Sequence, residues 1–314
     1  MSAVKYAAVV GGINIDIGGK PFLPMIPGDS NPGSVEITLG GVGRNIAHVL
    51  SLLGSKVCFL TAFGMDAYAH RIEESCAEIG INIGRALKAE NGMTPIYLYL
   101  NNADGDMLMA VSDMALCDAI GPSYLSSNAD IIGSAELVAA DTNIPKDSLK
   151  WLADNCICPL FVDPVSVKKA EKLKGILGRI HTLKANIMEA EFLSGISIKD
   201  RVSLEKAVCS LLETGLERIF ITLGKSGSAA ASGRKIVYAP AFPTDVRCTT
   251  GAGDAFMASL IHSYLNGTDT EEALRCASAA ASFAVECAAT VNDAITEEAV
   301  LERAKLCRTE SFDL

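Results

Sequence analysis

The chain has 314 residues, of which 49% are hydrophobic and 20% are charged, and its formal net charge is −10. A chain of this length and composition buries a large core, so it needs no metal or partner to fold. The chain has more acidic than basic residues and no cluster of Lys and Arg. This argues against a nucleic acid or an anionic membrane as partner and favours a small ligand.

The start of the chain and its cysteines indicate a cytoplasmic setting. The segment MSAVKYAAVV lacks the basic region and cleavage site of a signal peptide, and no run of about 18 uncharged apolar residues occurs elsewhere. We therefore expect a soluble, cytoplasmic protein whose ten cysteines are reduced thiols. Cys156 and Cys158 form one close pair, but no second pair or nearby His completes a zinc site.

Short apolar runs alternate with amphipathic segments along the chain, which is typical of a parallel sheet covered by helices. Apolar residues also recur at helical spacing between residues 46 and 53, and Gly54 follows as a C-terminal stop. The predicted strands are residues 6–10, 57–60, 137–140, 160–162 and 219–221.

Two segments interrupt this alternation. Residues 15–38 are rich in Gly and Pro, and residues 94–113 show strand-like alternation on both sides of Asp104-Gly105, which indicates a hairpin. We expect the two segments to pair as a small β lid over a cleft, inserted in a single domain that spans residues 1–314.

Such a lid would carry apolar side chains on an exposed face. That face holds either the set with Tyr97 and Tyr99 or the alternate set Ile96, Leu98, Leu100, Met107 and Met109. A two-sided apolar sheet does not stay exposed, so we expect a homodimer joined through the lids, with each lid closing the cleft of its own subunit.

The strongest motif lies at residues 249–254, which read TTGAGD. Thr249 or Thr250 is expected to cap a helix whose first turn holds two glycines, so that backbone N–H groups can approach an anion. Asp254 could then accept the proton of an attacking hydroxyl while these amides hold the charge of a transferring phosphoryl group. A plain glycine-rich turn, with an Asp favoured by the helix dipole, is the alternative interpretation.

Two other glycine-rich segments fit nucleotide motifs less well. Residues 40–47 (GGVGRNIA) lead into the predicted helix, but no convincing strand precedes them and the acidic residue of a dinucleotide-binding fold is missing at the expected spacing. Gly224-Lys225-Ser226 suggests a P-loop, but Ile219 stands where that motif requires its first glycine. The sequence therefore indicates neither a dehydrogenase nor a P-loop enzyme.

Together, the Gly-Gly motif at residues 40–41 and the Gly-Ala-Gly-Asp motif at residues 251–254 resemble the ribokinase-like family of carbohydrate kinases in order and spacing, over essentially the whole chain. The resemblance implies an α/β fold, a three-layer sandwich with a mostly parallel central sheet flanked by helices and with a small β lid. It also implies a kinase that uses ATP and Mg²⁺, with Asp254 as catalytic base and an anion hole formed by Gly251, Ala252 and Gly253.

The same resemblance assigns residues to the sugar and to the nucleotide. The implied sugar-binding residues are Asn14, Asp16, Gly41 and Asn45. Two residues at the end of a predicted strand are implied to add polar substrate contacts, namely Asp141 and Asn143. The implied nucleotide-binding residues are Asn186, Thr222, Gly224 and Gly227. Asn186 and Glu189 also match an Asn-x-x-Glu motif that organises Mg²⁺ and its waters near the phosphates.

One position departs from the family pattern. Many members carry an Asp six residues before the catalytic Asp, where it helps to bind a monovalent cation, and this chain has Cys248. The change removes one cation ligand, but a site built mainly from backbone groups could survive it, so activation by potassium stays open.

Within the family, residues 29–33, 40–45 and 161–166 are similar to members that phosphorylate the C-nucleoside pseudouridine. The implied reaction transfers the γ-phosphoryl group of ATP to the 5′-hydroxyl. Reading the uracil edges requires amide, carboxylate and cationic groups. Four residues at the lid and the cleft rim supply this set: Ser30, Asn31, Arg44 and Asp113.

Two alternatives stay open. Within the kinase class, the substrate could instead be ribose, another sugar or another nucleoside such as adenosine. From a different class, the chain could be a nucleotide-binding regulator that has lost catalysis, although its intact Gly-Ala-Gly-Asp motif argues against this.

Overall fold

The computed structural model describes residues 5–104 and 107–314, so Gly105 of the predicted hairpin turn lies outside the described residues. The strands, in chain order, are β1 (Ala7–Val10), β2 (Asn14–Pro21), β3 (Gly33–Gly40), β4 (Val57–Leu60), β5 (Ala62–Gly64), β6 (Leu87–Ala89), β7 (Ile96–Asn101), β8 (Met107–Asp113), β9 (Leu137–Asp141), β10 (Leu160–Asp163), β11 (Thr182–Asn186), β12 (Arg218–Thr222), β13 (Ser228–Ser232), β14 (Lys235–Ala239) and β15 (Glu310–Asp313). The α-helices are α1 (Val42–Leu52), α2 (Ala69–Glu78), α3 (Pro122–Ser127), α4 (Ala129–Ser134), α5 (Lys146–Asn155), α6 (Val167–Ala170), α7 (Ile187–Ser194), α8 (Arg201–Leu212), α9 (Ala252–Leu265), α10 (Thr270–Val285) and α11 (Glu297–Ala304). Within these ranges, no helix is both long and apolar enough to cross a membrane.

The central sheet has the strand order β15-β14-β13-β12-β11-β10-β9-β1-β4. The strands from β12 to β4 run parallel, and β13, β14 and β15 continue the sheet in antiparallel fashion at one edge. All five predicted strands belong to the parallel part, and no end differs from its predicted position by more than one residue. The predicted helix is α1, which buries Ile46, Val49 and Leu50.

Each strand in the middle of this sheet divides its side chains between two cores. In β1, Ala7 and Val9 belong to the core on one face, whereas Ala8 and Val10 belong to the core on the other. Helices α1, α9 and α10 cover the first face, and α5, α7 and α8 cover the second. Strands that are covered on both faces need apolar side chains at every position, so they read as continuous apolar runs. The predicted three-layer α/β fold with a mostly parallel sheet is thus confirmed.

Four further strands form a second sheet, here called the small sheet, in the order β3-β2-β7-β8. Two antiparallel pairs, β2 with β3 and β7 with β8, are joined by parallel pairing of β2 with β7. The register places Tyr97 beside Asp16 on one face, and Leu98 beside Ile17 and Val111 on the other. The tyrosine set therefore shares its face with Asp16. Met107 also lies on this face, because a register shift pairs it with Asn101 and the hydroxyl group of Tyr97 donates to its sulfur at 3.6 Å. The other members of the alternate set, Ile96, Leu98, Leu100 and Met109, lie on the opposite face. The role of the small sheet as a lid stays a prediction.

The edge strand β3 is tied to the helices beside it. Arg44 of α1 donates to the carbonyl oxygen of Leu39 at 3.3 Å, and Arg71 of α2 donates to that of Ile37 at 2.8 Å. At the other edge of the small sheet, every residue of β8 is exposed.

Candidate active site

The polar residues identified from the sequence gather where the parallel strands of the central sheet end. Asp141, Asp163, Asn186 and Thr222 are the last residues of β9, β10, β11 and β12. Open α/β sheets bind their ligands beyond the carboxyl ends of the strands. We therefore place the candidate site at this edge.

Helix α9 begins at this edge with the Gly-Ala-Gly-Asp motif. Gly251 is its N-cap, with a φ of 83°, and none of the described side chains caps the helix. The predicted cap by Thr249 or Thr250 is therefore wrong, because a left-handed glycine leads the chain into the helix instead. A Cβ at Gly251 would collide with the carbonyl oxygen of Thr290, so this position requires glycine.

The first amides of α9 are placed to bind an anion. The N–H group of Ala252 makes a long bond of 3.4 Å to the carbonyl oxygen of Thr249. The N–H groups of Gly253 and Asp254, by contrast, belong to the first helical turn, in which no partner exists within the helix. These two amides lie at the positive end of the helix dipole, which favours an anion. The anion hole predicted at Gly251, Ala252 and Gly253 stays a prediction.

The carboxylate of Asp254 contacts α1 through Asn45. The Nδ2 group of Asn45 donates to Oδ2 of Asp254 at 2.8 Å. Asn45 is 4% exposed, and its Oδ1 has no hydrogen-bond donor among the described residues. Leaving a buried acceptor without a donor costs about 1–3 kcal/mol. A hydroxyl group of a substrate would satisfy it, as predicted for a sugar ligand of Asn45.

The chain reaches α1 through Gly41, which has a φ of 104°. A Cβ at this position would lie 2.5 Å from the carbonyl oxygen of Gly12. Glycine therefore lets the start of α1 approach the turn after β1, and this approach places Asn45 beside Asp254.

The environment of Asp254 raises the pKa of its carboxyl group. Loss of hydration raises the pKa of Asp254 to about 7, and the nearby carboxylates of Asp163 and Asp141 act in the same direction. The hydrogen bond from Asn45 and the ammonium group of Lys184 partly offset this rise. A general base is most effective when its pKa lies near the working pH.

A buried cation, which was not identified from the sequence, completes the cluster. The Nζ of Lys184 lies 2.9 Å from Oδ2 of Asp163, and both side chains are almost fully buried. A Cβ on Gly253 would be 2.6 Å from this Nζ, so the ammonium group lies against the first turn of α9. Burial disfavours the ammonium, but the Asp163 carboxylate outweighs this and raises the pKa of Lys184. The sequence signal was a single Lys inside a buried strand that reads TLKAN.

Asn14 and Asp16 lie together on β2. The Nδ2 of Asn14 donates to Oδ1 of Asp16 at 2.6 Å, and the carboxylate lies against Gly40, where any Cβ would overlap it. Burial raises the pKa of Asp16, while the bond from Asn14 and the charge of Arg44 lower it. An ionised carboxylate accepts several hydrogen bonds, so Asp16 keeps capacity for a sugar hydroxyl.

Asp141 binds three backbone N–H groups. Its Oδ2 accepts from the N–H groups of Gly12 at 2.9 Å and Gly43 at 2.8 Å, and its Oδ1 accepts from that of Asn143 at 2.8 Å. The side chain is 1% exposed. Asp141 therefore joins the turn after β1 to the start of α1, and its predicted contact with the substrate stays a prediction.

Asn143 is held by a second lysine that was not identified from the sequence. Its Oδ1 accepts a short hydrogen bond from Nζ of Lys169. Because an ammonium group only donates, the oxygen of the amide faces Lys169, and the Nδ2 group lies close to Gly12. The amide of Asn143 thus offers a donor beside the turn after β1, in keeping with its predicted substrate contact.

Three of the predicted base-reading residues make contacts within their own loops. Ser30 and Asn31 lie between β2 and β3, where the amide of Asn31 bonds the backbone of Ile26 and Asp29. Asp113 is exposed at the end of β8, and its Oδ1 accepts from the next turn. Their role in reading a base stays a prediction.

Arg44, the fourth predicted base-reading residue, contacts both α2 and β3. It is 8% exposed, and besides its bond to Leu39 it donates to Oγ of Ser75 on α2 at 3.4 Å. These bonds turn the guanidinium group toward α2 and the edge of β3. Arg44 therefore braces the small sheet. Its Nε has no hydrogen-bond partner among the described residues, and the side chain also lines an open cavity of about 470 Å³, so its role in reading the base stays a prediction.

Asn186 and Glu189 form a capping box at the start of α7. The Oδ1 of Asn186 accepts from the N–H of Glu189, and Oε2 of Glu189 accepts from the N–H of Asn186, both at 2.9 Å. Glu189 is buried, and its pKa is raised by burial and by the carboxylate of Asp163. No group of three or more His, Cys, Asp or Glu side chains in residues 5–104 and 107–314 is arranged to hold a metal ion by itself.

The predicted nucleotide loop leaves β12 beside this capping box, because Thr222 pairs with Asn186 across the sheet. A 3₁₀ turn follows at Gly224–Ser226, and the N–H of Leu223 donates to the carbonyl oxygen of Gly227 at 2.8 Å. The loop is thus a tight turn at the carboxyl edge of the sheet.

Comparisons with known proteins identify the family of the chain. Residues 4–297 match the model of the pfkB family of carbohydrate kinases. The chain is 38% identical to the pseudouridine kinase of Escherichia coli (strain K12), over 93% of this chain and 94% of that protein. It is 35% identical to the uncharacterized sugar kinase YeiI of the same strain, over 91% of this chain and 77% of that protein. A solved carbohydrate kinase from Agrobacterium tumefaciens superposes with a TM-score of 0.87 at 29% identity, over 98% of this chain and all of that one (100%).

Proposed function

Because the chain belongs to the pfkB family of carbohydrate kinases, we propose that it phosphorylates the 5′-hydroxyl of pseudouridine with ATP. Membership of this family already implies a broader activity, that of a kinase that transfers a phosphoryl group to an alcohol. The choice of pseudouridine is supported by the 38% identity to a pseudouridine kinase over nearly the whole chain.

One observation carries the proposal, namely the juxtaposition of Asp254, Asn45 and Lys184 at the start of α9. The unpaired Oδ1 of Asn45 accepts a bond from a sugar hydroxyl and so orients the sugar. Asp254 then takes the proton of the attacking 5′-hydroxyl. The first amides of α9 and the Lys184 ammonium stabilise the charge on the transferring phosphoryl group.

The residues at the start of α7 fit a magnesium ion that accompanies ATP. The buried carboxylate of Glu189 has its pKa raised by burial and by Asp163, so a cation beside it would offset an unfavourable charge. Glu189 and Asn186 would hold the ion through its waters. When bound, the ion neutralises phosphate charge.

A substrate panel tests the proposal. Purified protein with ATP and Mg²⁺ is assayed with pseudouridine, uridine, ribose and adenosine, and kcat/KM is compared. We expect pseudouridine to exceed the others by at least about tenfold, a difference of about 1.4 kcal/mol in transition-state binding. A higher kcat/KM for ribose would assign a sugar substrate instead, and no turnover with any acceptor would favour an inactive regulator.

Replacing Asp16 with Ala is expected to raise the KM for the nucleoside about tenfold or more while changing the KM for ATP little. The reason is the loss of charge-assisted hydrogen bonds to sugar hydroxyls, worth about 1.5–3 kcal/mol. Steady-state kinetics with each substrate varied in turn measures both constants. Asp147→Ala, an exposed change on α5, is the control. An equal effect of Asp16→Ala on both constants would remove Asp16 from the sugar site.

Cys248 leads to a prediction about monovalent cations. Its side chain has no carboxylate to bind a cation. If this disables the cation site, turnover in sodium and in potassium buffers should agree within about twofold, well below 1 kcal/mol. Paired assays at equal ionic strength measure the ratio. Strong activation by potassium would show that other ligands replace the missing carboxylate.

We also propose that two copies associate through the outward faces of their small sheets. Val111 is 66% exposed, and Met109, Val35 and Leu98 lie on the same face. A contiguous apolar face of this kind indicates an interaction site. Light scattering at micromolar concentrations should give the mass of a dimer, and Val111→Asp should shift it toward the monomer.

A matched control for this experiment is Val202→Asp, since Val202 is an exposed valine on α8, outside the small sheet. This variant should remain a dimer. A monomer at every concentration would contradict the dimer, and a dimer that Val111→Asp leaves unchanged would place the interface elsewhere.

A further inference from the structure

The face of the small sheet that carries Asp16, here called the inner face, holds its side chains in rows that cross three strands. One row consists of Thr38, Asp16 and Tyr97, and the next consists of Glu36, Gly18 and Tyr99. Neighbouring rows are two residues apart along each strand, which corresponds to about 7 Å. The second row therefore lies next to the carboxylate that is predicted to bind the sugar hydroxyls.

Glu36 and Tyr99 of the second row line an open cavity of about 470 Å³, which Arg44 also lines. Sites for small molecules occupy about 300–1,000 Å³, so this cavity is large enough for a pyrimidine base. Gly18 leaves space in the middle of the row, since a Cβ there would lie 2.5 Å from the hydroxyl oxygen of Tyr99. The side chain of Tyr99 thus leans across β2 toward Glu36 on β3.

Glu36 offers a free acceptor to this cavity. The residue is exposed, and its carboxylate makes no hydrogen bond or ion pair within residues 5–104 and 107–314. An ionised carboxylate only accepts hydrogen bonds. Two other carboxylates line the cavity, but those of Glu74 and Glu78 belong to α2. On the inner face, Glu36 is therefore the carboxylate in the row next to Asp16.

The positions of Asp254 and Asp16 orient a nucleoside in the cleft. Strand β3 leads into α1, where Asn45 contacts Asp254. Along β3, Glu36 lies farther from α1 than the row of Asp16 does. A nucleoside carries its base on C1′ and its 5′-hydroxyl beyond C4′, at opposite ends of the ribose, with the 2′- and 3′-hydroxyls between them. Given the proposed function, on which this inference rests, the 5′-hydroxyl lies at Asp254 and the ring hydroxyls lie at Asp16, so the base reaches the row of Glu36.

The bases of pseudouridine and uridine differ in one group on their edges. Both carry two carbonyl groups and an N3–H group, but pseudouridine has an N1–H donor where uridine has a C5–H group. A site that prefers pseudouridine therefore needs a hydrogen-bond acceptor at N1. We propose that Glu36 supplies this acceptor and selects pseudouridine over uridine. The N1–H group of pseudouridine donates to the carboxylate, whereas the C5–H group of uridine leaves the carboxylate unpaired.

Uridine and N1-methylpseudouridine test this contact, because both lack the N1–H donor. With the wild type, we expect kcat/KM for pseudouridine to exceed that for each of them by at least about tenfold. Glu36→Ala should lower kcat/KM for pseudouridine about tenfold and change that for uridine by less than about twofold, so that the preference is lost. Glu36→Gln keeps an amide oxygen that accepts a hydrogen bond, so it should retain part of the preference.

A binding measurement and a control variant accompany these assays. The Kd values for pseudouridine and uridine, measured by calorimetry without ATP, should change in the same pattern as kcat/KM, and this readout does not depend on phosphoryl transfer. Glu298→Ala removes an exposed carboxylate on α11, outside the cavity, and should keep the wild-type preference.

Two results would overturn the role of Glu36. One is a wild type that uses pseudouridine and N1-methylpseudouridine equally well, and this measurement needs no variant to fold. The other is an unchanged preference for pseudouridine in Glu36→Ala. Both results leave the phosphorylation of pseudouridine intact, whereas a wild type that does not phosphorylate pseudouridine would contradict the proposed function and this inference with it.

Discussion

Replacing Asp254 with Asn is expected to lower kcat by about two orders of magnitude or more, because the loss of a general base typically costs about 10²- to 10⁴-fold. ATP affinity should change little, since the amides at the start of α9 and the Lys184 ammonium are kept. The amide of Asn also preserves the shape of the side chain, so the melting temperature should stay close to that of the wild type. We therefore expect a much lower kcat together with an ATP affinity, measured by calorimetry, that is close to that of the wild type.

The pH dependence provides an independent check on Asp254. Its pKa is raised to about 7 by loss of hydration, so the carboxyl group becomes protonated below that pH and cannot accept a proton. We expect kcat/KM of the wild type to fall about tenfold per pH unit below about pH 7. The residual activity of Asp254→Asn should lack this fall. Turnover near the wild-type level in the variant would exclude Asp254 as the base.

Replacing Lys184 with Met is the second change with a large expected effect. Removing one charged donor from a site that stabilises a developing anion costs about 10²- to 10³-fold in kcat. The same change leaves the buried carboxylate of Asp163 without its partner, and breaking a buried ion pair in this way costs about 3–5 kcal/mol of stability. Single-turnover kinetics measures the first effect, and urea unfolding measures the second.

The double variant Lys184→Met with Asp163→Asn separates these two effects. It removes both charges of the buried pair, so we expect most of the lost stability to return while kcat stays low. Recovery of both stability and turnover would show that Lys184 only neutralises Asp163. A double variant that is as unstable as the single one would instead indicate that packing around Lys184, rather than its charge, holds this part of the fold.

The fold was predictable because burial on both faces leaves a strong sequence signal. Apolar runs such as residues 57–60 and 160–162 mark the parallel strands, and the helical spacing that ends at Gly54 marks α1. The outward face of the small sheet was not predictable, because β7 carries apolar or aromatic residues on both faces. Its register with β2 decides which set shares the face of Asp16.

The candidate site was predictable only where a residue acts through a local motif. The motif at residues 251–254 indicates its own chemistry, whereas the partners of Asp254 and Asp163 come from distant parts of the chain. Lys184 lies in a strand and Arg44 in a helix, and nothing local shows that one contacts α9 while the other braces β3. Such side-chain directions depend on packing between elements, which a single sequence does not display.

The bonds from Arg44 and Arg71 to β3 also bear on the solubility of the small sheet. A bare edge strand is a template for growth of a fibril, since each added strand exposes a new edge to the next chain. Two edge carbonyls of β3, those of Ile37 and Leu39, already have arginine donors, so a foreign strand can add along the full length of β8 but not of β3. If only the β8 edge can pair, two chains can join through it, but a third chain finds no free edge. We therefore expect Arg44 and Arg71 to prevent repeated strand addition at β3, and removing both should make the protein prone to fibril formation.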